Sequence, residues 1–397
     1  MAGKSGSHAL TLSKGAAAAV LRGHPWVFRE QIRATSGSPK TGDVVSILDD
    51  QGCIAHALYD ETSPIAARVW TSEATIDTKL FRRRLEQALA RRERLGRDGT
   101  TTAMRLVNGE GDRIPGLVID RYANVAVLKS DSDALTRFLA TPQVSSALEN
   151  VLRANGLDTL IDRTGKHGSS GAPRAIFGDL PTAEVVATEH GVPFHVDVLR
   201  GQKTGAFLDQ RENRQRVQRL ASSSKRMLNL FSYAGGFSLR AALGGATEVT
   251  SVDIAGAAHR TAQVCFRAAG VDPKSHRFVA ADAFDFLDLA RKRGESFDLI
   301  VCDPPSFAPN EKSVRTALAS YRRLHVACAS ILSSGGVFCA ASCSSHVDAK
   351  TFLETIDDAS LETNRFVLSE YHGLPEDHPT LPAFPEGRYL KFAVLSS

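Results

Sequence analysis

Five strings that could bind a ligand or react with one follow five apolar runs in the C-terminal half of the chain. They are SYAGGFS (232–238), Asp253, Asp282 in ADAFDFL, CDPPSF (302–307) and SCSSH (342–346). A glycine-rich loop lets a ligand approach the backbone, and an acid after the next strand can accept hydrogen bonds from ribose hydroxyls. The loop is not GxGxxG, which disfavours a nicotinamide dehydrogenase. The five strings together predict a nucleoside cofactor without a diphosphate, and S-adenosylmethionine fits.

The third and fourth strings carry groups suited to bases. Asp282 could accept a hydrogen bond from the adenine amine and Phe284 could stack on the ring, although a lone Asp after a strand is more often a helix cap. In CDPPSF, Asp303 could hydrogen-bond or protonate a base edge, while the two prolines fix the shape of the loop. Phe307 could stack on a base turned out of its helix.

Cys343 is the candidate nucleophile. C5 of cytosine accepts a methyl group once a thiolate has added to C6, and loss of the C5 proton then expels the thiol. Cys343 follows the fifth strand, whereas Cys339 lies within that strand and Cys302 is expected to point away from the face used by Asp303. His346 is a candidate helper for the thiol, with a surface position as the alternative reading. The base that removes the C5 proton is not assigned.

Two other functions fit parts of this pattern. DPP after the fourth strand resembles the motif that grips an exocyclic amine, so an enzyme that methylates guanine N2 or adenine N6 is the first alternative. Such an enzyme needs no thiol. The second alternative is an RNA-binding assembly protein whose methyltransferase fold is no longer catalytic.

Composition narrows the class of protein. The 397 residues are 43% hydrophobic and 23% charged, which is typical of two or three globular domains. No stretch approaches the ~20 apolar residues of a membrane span, and the N-terminus lacks the apolar core of a signal peptide. We therefore expect a soluble cytoplasmic protein with no membrane partner. The six cysteines form no CxxC pair and no zinc spacing with His, so neither a metal site nor a disulfide framework is predicted.

The predicted secondary structure that positions these residues changes in type at two points along the chain, which indicates three domains. Short alternating runs within 41–70 predict a small β-barrel over residues 1–75. Residues 76–192 read as a central α+β domain, with helices over 77–97 and 134–155, strands around NGEGD and at 159–163 and 183–188, and a loop over 164–174. Residues 193–397 alternate strands with helices such as 257–269 and 320–331, which predicts a mostly parallel sheet. The strands of this sheet are expected at 227–231, 249–253, 278–281, 299–302, 337–341, 366–371 and 389–395.

Positive charge is concentrated near the N-terminus. Residues 1–110 contain 16 Lys and Arg against 12 Asp and Glu, and the remainder contains 32 of each. The predicted helix over 77–97 carries seven arginines, among them Arg82, Arg83 and Arg91. A basic helix face of this kind could contact RNA phosphates, and a solvated helix surface is the alternative.

Motifs along most of the chain resemble one family. LNLFSYAGGFSLRAALGGA (228–246), DPPSF and SCSSH resemble the class I methyltransferase domain of PUA-containing ribosomal RNA large-subunit methyltransferases, including the type that makes 5-methylcytosine. GHPWVF (23–28) is similar to the start of the PUA domain of that family. NGEGDRIPGLVIDRY (108–122), GQKTGAFLDQRENR (201–214) and DHPTLPAFPEGRYLK (377–391) resemble further segments.

The resemblance implies a PUA-like RNA-binding domain over 1–75, a central linking domain over 76–192 and a Rossmann-like methyltransferase domain with a seven-stranded sheet over 193–397. It implies S-adenosylmethionine as cofactor, ribosomal RNA of the large subunit as substrate and, often, a homodimer. It also places segment 201–214 over the cofactor, where Arg211 could pair with the methionine carboxylate; the start of an ordinary amphipathic helix is the alternative.

The candidate residues fall into three groups. The catalytic candidates are Cys343 and Asp303. The RNA candidates are Trp26, Arg82, Arg83, Arg91, Lys203 and Phe307. The cofactor candidates are Phe207, Gln210, Arg211, Asn229, Phe231, Ser232, Tyr233, Ala234, Gly235, Phe237, Asp253, Ile254, Asp282, Ala283, Phe284, Asp303 and Pro304.

Overall fold

The polypeptide crosses several times between two folded units. The computed structural model describes residues 8–73, 75–165, 170–308, 310–362 and 366–397. One unit comprises Met1–Gly191, Val196–Leu208 and Glu376–Gly387, and the other comprises Val192–His195, Asp209–Pro375 and Arg388–Ser397. Among the described helices, none has the length and apolar character needed to cross a membrane.

The N-terminal part of the first unit is a six-stranded sheet in the order β2-β6-β5-β4-β1-β3. Its two edge strands, β2 and β3, are consecutive in the chain and are joined only by the short 3-10 helix Arg29–Gln31. The sheet must therefore curl until its edges approach each other, which confirms a small PUA-like β-fold. Its elements are β1 (Ala9–Leu12), α1 (Lys14–Leu21), β2 (Trp26–Phe28), β3 (Ile32–Ser36), β4 (Val44–Leu48), β5 (Cys53–Tyr59) and β6 (Ile65–Thr71).

Helix α1 was not predicted from the sequence, which shows only a short apolar patch there. Ser13 caps the helix by accepting a hydrogen bond from the Ala16 amide, and one face of the helix is buried against the sheet. The run is too short and too rich in alanine for its period to be recognised.

The rest of the first unit is built on a five-stranded sheet in the order β11-β10-β9-β8-β7. Its elements are α2 (Thr78–Gly96), β7 (Ala103–Asn108), β8 (Leu117–Tyr122), β9 (Val125–Ser130), α3 (Asp133–Leu139), α4 (Pro142–Ala154), β10 (Thr159–Thr164), β11 (Ser170–Phe177) and β12 (Val185–Glu189). β13 (Val192–Val196) follows where the chain passes towards the second unit.

Two predictions for this region were wrong. The single helix expected over 134–155 is two helices, because Pro142 starts α4 and disfavours helical geometry at Thr141. The loop expected over 164–174 contains the start of β11, which pairs with β10 despite its glycine and serine content. Residues 166–169 of that loop lie outside the described part of the chain.

The second unit contains a seven-stranded sheet in the order β16-β15-β14-β17-β18-β20-β19. Only β20 runs against its neighbours, so the sheet is mostly parallel, as predicted. Its strands are β14 (Arg226–Leu230), β15 (Glu248–Asp253), β16 (Arg277–Ala280), β17 (Phe297–Cys302), β18 (Leu332–Ser342), β19 (Val367–His372) and β20 (Lys391–Ser396). The helices are α5 (Arg211–Leu220), α6 (Gly236–Gly244), α7 (Gly256–Ala268), α8 (Ala283–Lys292), α9 (Val314–Ala329) and α10 (Ala349–Glu362).

Helices cover both faces of this sheet, which explains why its strands read as continuous apolar runs. Leu228 and Ile300 pack with α8, α9 and α10 on one face. Met227 and Leu299, one position earlier in the same strands, pack with α5 and α6 on the other. The strand order reverses beside β14, and ligands of such sheets bind beyond the carboxyl ends of the strands at this point.

Candidate functional site

The loop after β14 is held in a strained conformation. Phe231 and Tyr233 have φ angles of 57° and 46°, and Gly235 has φ 73°. Non-glycine residues rarely adopt this left-handed region, and strain of this kind persists only where surrounding contacts impose it. The Ser232 amide donates to the carbonyl of Val252 at 3.0 Å, and the Tyr233 amide donates to Asp253 Oδ2 at 2.8 Å.

Glycine is required at position 235, where this loop enters α6. The φ of Gly235 is 73°, and a Cβ there would lie 2.9 Å from Cβ of Ala262, so a larger residue would strain the backbone and push the loop away from α7. A Cβ on Gly236 would lie 2.8 Å from Cδ of Arg214, which would have to move. The backbone amides of this helix start are thus kept at the edge of the sheet.

The same loop contains buried polar atoms that lack a partner among the described residues. Asn229 Nδ2 donates to Ser238 Oγ at 2.9 Å, but Asn229 Oδ1 accepts no hydrogen bond. Ser232 Oγ is also buried and unpaired. An unsatisfied buried polar atom costs about 1–3 kcal/mol, so these atoms fit a site that a polar ligand completes. They suit the amino-acid end or the ribose of S-adenosylmethionine.

Asp253 and Ile254 form the next part of this edge. Asp253 Oδ1 accepts the Ala255 amide at 2.8 Å and Oδ2 accepts the Tyr233 amide, so the carboxylate joins two loops. Each carboxylate oxygen retains a further lone pair for a ligand hydroxyl. Ile254 is 79% exposed, an unusual value for a large apolar side chain and one that leaves a surface on which a ring could lie.

The structure gives Asp282 and Phe284 local roles. Asp282 is the N-cap of α8, and its Oδ1 accepts the amides of Phe284 and Asp285 at 2.8 and 3.3 Å. The guanidinium of Arg323 lies 4.1 Å from the centre of the Phe284 ring, so one face of that ring is already covered. Ala283 is buried beneath them.

Two cofactor candidates, Phe237 and Arg211, are less accessible than the sequence suggests. Phe237 is buried and stacks on Phe392 with ring centres 6.0 Å apart, so it belongs to the core on one face of the sheet. Arg211 is fully buried, and its Nε donates to Glu212 at 3.0 Å. Ala234 lies in the strained loop between Tyr233 and Gly235, where it would contribute through its backbone.

The segment before β14 divides between the two units. Lys203 and Phe207 belong to the first unit, where the Lys203 ammonium lies 4.5 Å from the centre of the Phe207 ring. Gln210 belongs to the second unit, and its Nε2 donates to Asp303 Oδ2 at 2.9 Å. Asn213 in turn donates to Gln210 Oε1 at 2.6 Å, which fixes the orientation of the Gln210 amide. One oxygen of Asp303 is therefore held by a buried chain of amides.

Cys343 and the DPPSF loop lie side by side. Cys343 Sγ is 4.0 Å from the carbonyl oxygen of Pro304, and the residue is half-buried. Cys302 is fully buried, and burial raises the pKa of its thiol well above the usual value. Burial also raises the pKa of Cys339, and Cys265 and Cys328 are buried as well. The thiolate is the nucleophilic form, so the raised pKa values make Cys302 and Cys339 poor nucleophiles.

A hydroxyl network links the Cys343 loop to the DPPSF loop. The Tyr321 hydroxyl bonds to Ser342 Oγ at 2.9 Å and to Ser344 Oγ at 3.0 Å, on either side of Cys343. Ser344 Oγ also bonds to Ser306 Oγ of the DPPSF loop at 3.0 Å. Phe307 packs against the Tyr321 ring with centres 5.0 Å apart, and His346 is exposed, which agrees with a surface position for that residue.

The sequence analysis did not identify Tyr321 or Lys391 as parts of this region. Lys391 Nζ donates to the carbonyls of Ser344 and Val347 at 2.6 and 2.7 Å. Nothing in the pattern of α9 separates Tyr321 from an ordinary core aromatic. Lys391, in contrast, is a charged residue at the start of an apolar strand, which is a detectable signal.

The arginine-rich helix α2 is only partly a free basic face. Arg92 is buried and pairs with both oxygens of buried Asp112 at 2.7 Å, and half-exposed Arg91 pairs with Asp112 Oδ1 at 2.6 Å. Arg84 is committed to backbone carbonyls, and burial lowers its pKa to about 10. Arg94 pairs with Glu376.

Other basic residues of this segment lie at the surface. Arg82 pairs with Glu86 one turn later at 2.8 Å. Lys79 and Arg83 of α2 and Arg97 at its C-cap are exposed and form no ion pair within the described part of the chain. Trp26, the other candidate in this unit, is half-buried and donates from Nε1 to Glu110 at 2.7 Å. Arg82, Arg91 and Trp26 thus have partners within the protein, whereas Lys79, Arg83 and Arg97 are exposed cations.

Comparisons with known proteins agree with this geometry. Residues 170–383 match the S-adenosylmethionine-dependent methyltransferase family, and residues 10–72 match the PUA-like domain. Ribosomal RNA large subunit methyltransferase I of Klebsiella pneumoniae is 36% identical over 390 residues, covering 96% of each chain. The protein of that name from Aeromonas salmonicida is 37% identical over 397 residues, covering 97% of this chain and 98% of its own.

Solved structures show the same fold. A SAM-dependent methyltransferase from Streptococcus mutans superposes with a TM-score of 0.86 at 22% identity, covering 98% of this chain and 100% of that chain. A methyltransferase complexed with SAH superposes with a TM-score of 0.87 at 23% identity and the same coverage. The sheet order, the matched segments and the full-length relatives agree. The chain therefore belongs to the S-adenosylmethionine-dependent methyltransferase family, in the group with a PUA-like domain that includes the ribosomal RNA large subunit methyltransferase I proteins.

Proposed function

We propose that this protein methylates ribosomal RNA of the large subunit in the cytoplasm and that the product is 5-methylcytosine. The relatives named above support the RNA substrate. The choice of cytosine as the target base and of C5 as the methylated atom rests on the position of Cys343, the half-buried thiol beside Pro304 of the DPPSF loop.

The bound cofactor supplies an electrophilic methyl group. Cys343 attacks C6 of the target cytosine as a thiolate, and the electron pair of the C5–C6 double bond becomes available at C5 to take the methyl group. Removal of the C5 proton then restores the double bond as the carbon–sulfur bond breaks. The net change is methylated cytosine and one released proton, with the thiolate regenerated.

Asp303 is the proposed partner of the base edge. Its Oδ2 is held by Gln210, so the carboxylate is oriented before the base arrives. Negative charge builds up at N3 during attack at C6. A protonated Asp303 donating to N3 would stabilise that charge, whereas an ionised Asp303 accepting from the exocyclic amine would only orient the base. Phe307 lies at the end of the same loop, where one part of its ring packs on Tyr321.

The proposed cofactor site is the carboxyl edge from β14 to β16. Asp253 and the unpaired oxygens of Asn229 and Ser232 would hold the polar parts of the cofactor, and exposed Ile254 would contact the adenine. Asp282 would reach the adenine amine only through the oxygen that does not cap α8. Phe231, Tyr233, Ala234, Gly235, Ala283 and Pro304 would contribute through the backbone or shape of the loops.

RNA trapping tests the reaction. Large-subunit RNA transcribed with 5-fluorocytidine should form an adduct with the protein that survives denaturing electrophoresis and requires S-adenosylmethionine, because fluorine at C5 cannot leave as a proton. The adduct should disappear in Cys343→Ser and persist in Cys53→Ser, the matched control at an exposed thiol of β5.

The exocyclic-amine alternative predicts a different result. Asp303 and Pro304 would then grip an amine for direct transfer, with no thiol involved. Full methyl transfer by Cys343→Ala together with no adduct from any fluorocytosine-containing RNA would establish that alternative. If calorimetry showed no binding of S-adenosylmethionine at all, a non-catalytic RNA-binding role would replace both.

A further inference from the structure

A buried cation lies under the Cys343 loop. Lys391 opens β20 opposite Ser342 of β18, and only 3% of its surface is exposed. Its ammonium donates to the carbonyls of Ser344 and Val347. Burying an ammonium costs several kcal/mol unless hydrogen bonds and opposite charge compensate it. Two carbonyls compensate only part of that cost, so the position of this lysine calls for another partner.

Cys343 and Asp348 are the electrostatic partners of Lys391. A thiolate at Cys343 and the carboxylate of Asp348 each favour the charged form of Lys391. Burial acts in the opposite direction and lowers the pKa of Lys391 to about 8, which still leaves it mostly protonated at neutral pH. Because the interaction is mutual, the ammonium favours the thiolate of Cys343 to the same extent.

Tyr321 holds the same loop without bringing a positive charge. Its hydroxyl bonds to Ser342 and Ser344. Burial raises the pKa of Tyr321, so the phenol stays neutral. The chain thus provides one charged and one uncharged residue that position the same loop.

We propose that Lys391 is a positioning residue that fixes the Cys343 loop through two carbonyls and stabilises the Cys343 thiolate by its charge. Tyr321 fixes the loop by geometry alone. The catalytic consequence rests on the proposed function of Cys343 as nucleophile, but the coupling between Lys391 and Cys343 does not.

Alkylation of the thiol measures that coupling directly. In full-length protein carrying Cys53→Ser, the remaining cysteines other than Cys343 are buried, so the rate of iodoacetamide labelling against pH reports the Cys343 thiolate. Lys391→Met should raise the apparent pKa of labelling by about one unit, because a nearby opposite charge shifts a pKa by one unit or more. At neutral pH the labelling rate should then be roughly tenfold slower. The apparent pKa of Cys343 labelling should stay close to the parent value in Lys391→Arg and in Tyr321→Phe.

A second variant keeps the test decisive if Lys391→Met does not fold, as judged by S-adenosylmethionine binding. Asp348 caps α10 by accepting the Thr351 amide at 2.7 Å, and Asn caps helices equally well. Asp348→Asn should raise the apparent pKa of Cys343 labelling, since Asp348 favours the charged form of Lys391 and its removal leaves Lys391 less protonated. Labelling profiles that coincide with the parent in both variants would overturn the proposal.

The two hypotheses fail in different ways. A shifted labelling pKa in Lys391→Met with no RNA adduct in the parent would leave the Lys391–Cys343 coupling intact and reject Cys343 as nucleophile. An adduct in the parent together with unshifted labelling would keep the function and reject the role of Lys391.

Discussion

Replacing Asp253 by Ala tests the cofactor site most directly. The carboxylate accepts the Tyr233 amide with Oδ2 and the Ala255 amide with Oδ1, both at 2.8 Å. It is therefore expected to serve the ligand in two ways, as an acceptor for the ribose hydroxyls and as the tether of a loop that holds two non-glycine residues at positive φ.

The magnitude follows from these contacts. Hydrogen bonds to a charged group contribute roughly 1.5–3 kcal/mol, so removal of the ribose hydrogen bonds alone should weaken S-adenosylmethionine binding by about tenfold to 150-fold. Release of the Tyr233 amide should add to this, because the strained loop would relax before the ligand binds and would have to be ordered again on binding.

Isothermal titration calorimetry on the full-length protein measures the change. Glu248→Gln is the matched control, since Glu248 lies at the opposite end of the same strand and forms only a surface ion pair with Arg226 at 3.3 Å. Its Kd should equal that of the parent. Hydrogen exchange at the Tyr233 amide separates the two contributions, because only loop release speeds it. An unchanged Kd in Asp253→Ala would refute the placement of the cofactor.

Three further predictions concern charge. Arg92→Met should lower the stability by roughly 3 kcal/mol, since Asp112 would stay buried with a weaker set of partners, whereas half-exposed Arg91→Met should cost about 1 kcal/mol or less; equal shifts of the thermal midpoint would contradict this. The double variant Arg83→Ala, Arg97→Ala should weaken RNA binding. The slope of log affinity against log salt concentration should become shallower by about 0.7–0.9 for each phosphate that the protein no longer neutralises. An unaltered slope would exclude these arginines from the RNA interface. Methyl transfer by the parent should exceed that by Lys391→Met below about pH 8, where Lys391 is protonated and favours the thiolate, and the two rates should converge above it, where Lys391 loses its proton and the thiol ionises unaided. Lys391→Arg should keep the advantage to higher pH because Arg stays protonated, and identical pH profiles for the parent and Lys391→Met would count against the idea.

The strands of the second unit could be predicted because the signal for each strand lies in a short stretch of sequence. Parallel strands covered on both faces read as short apolar runs, and the residues after them meet at one edge. Asp253, Asp303 and Cys343 were assigned to that edge from the sequence, and each lies within a residue of a strand end. The helix expected over 77–97 was likewise correct to within a residue, because its apolar period is clear.

Long-range pairing could not be predicted. The partners of Arg92 and Arg94 are Asp112 and Glu376, 20 and 282 residues away, and no periodicity in α2 reveals which arginine will be neutralised. The same reason explains why the contact of Arg323 with Phe284, a residue expected to stack on adenine, was not predicted. Arg323, which covers one face of its ring, comes from α9, a different helix of the same unit.

Position and accessibility are independent requirements for a nucleophilic cysteine, and the two meet at Cys343. Position in the chain favoured Cys343, since Cys339 lies within its strand and Cys302 was expected to point away from the face used by Asp303, but position said nothing about solvent. Burial then separates them physically, since a thiol without solvent or a cation cannot ionise, as the raised pKa values of Cys302 and Cys339 reflect. Cys343 alone of these three is half-buried and has a lysine ammonium as an electrostatic partner. Exposed Cys53 meets the solvent requirement but belongs to β5 of the N-terminal six-stranded sheet. The fold thus places one accessible thiol at this edge of the sheet, and RNA trapping will test whether that thiol reacts with cytosine.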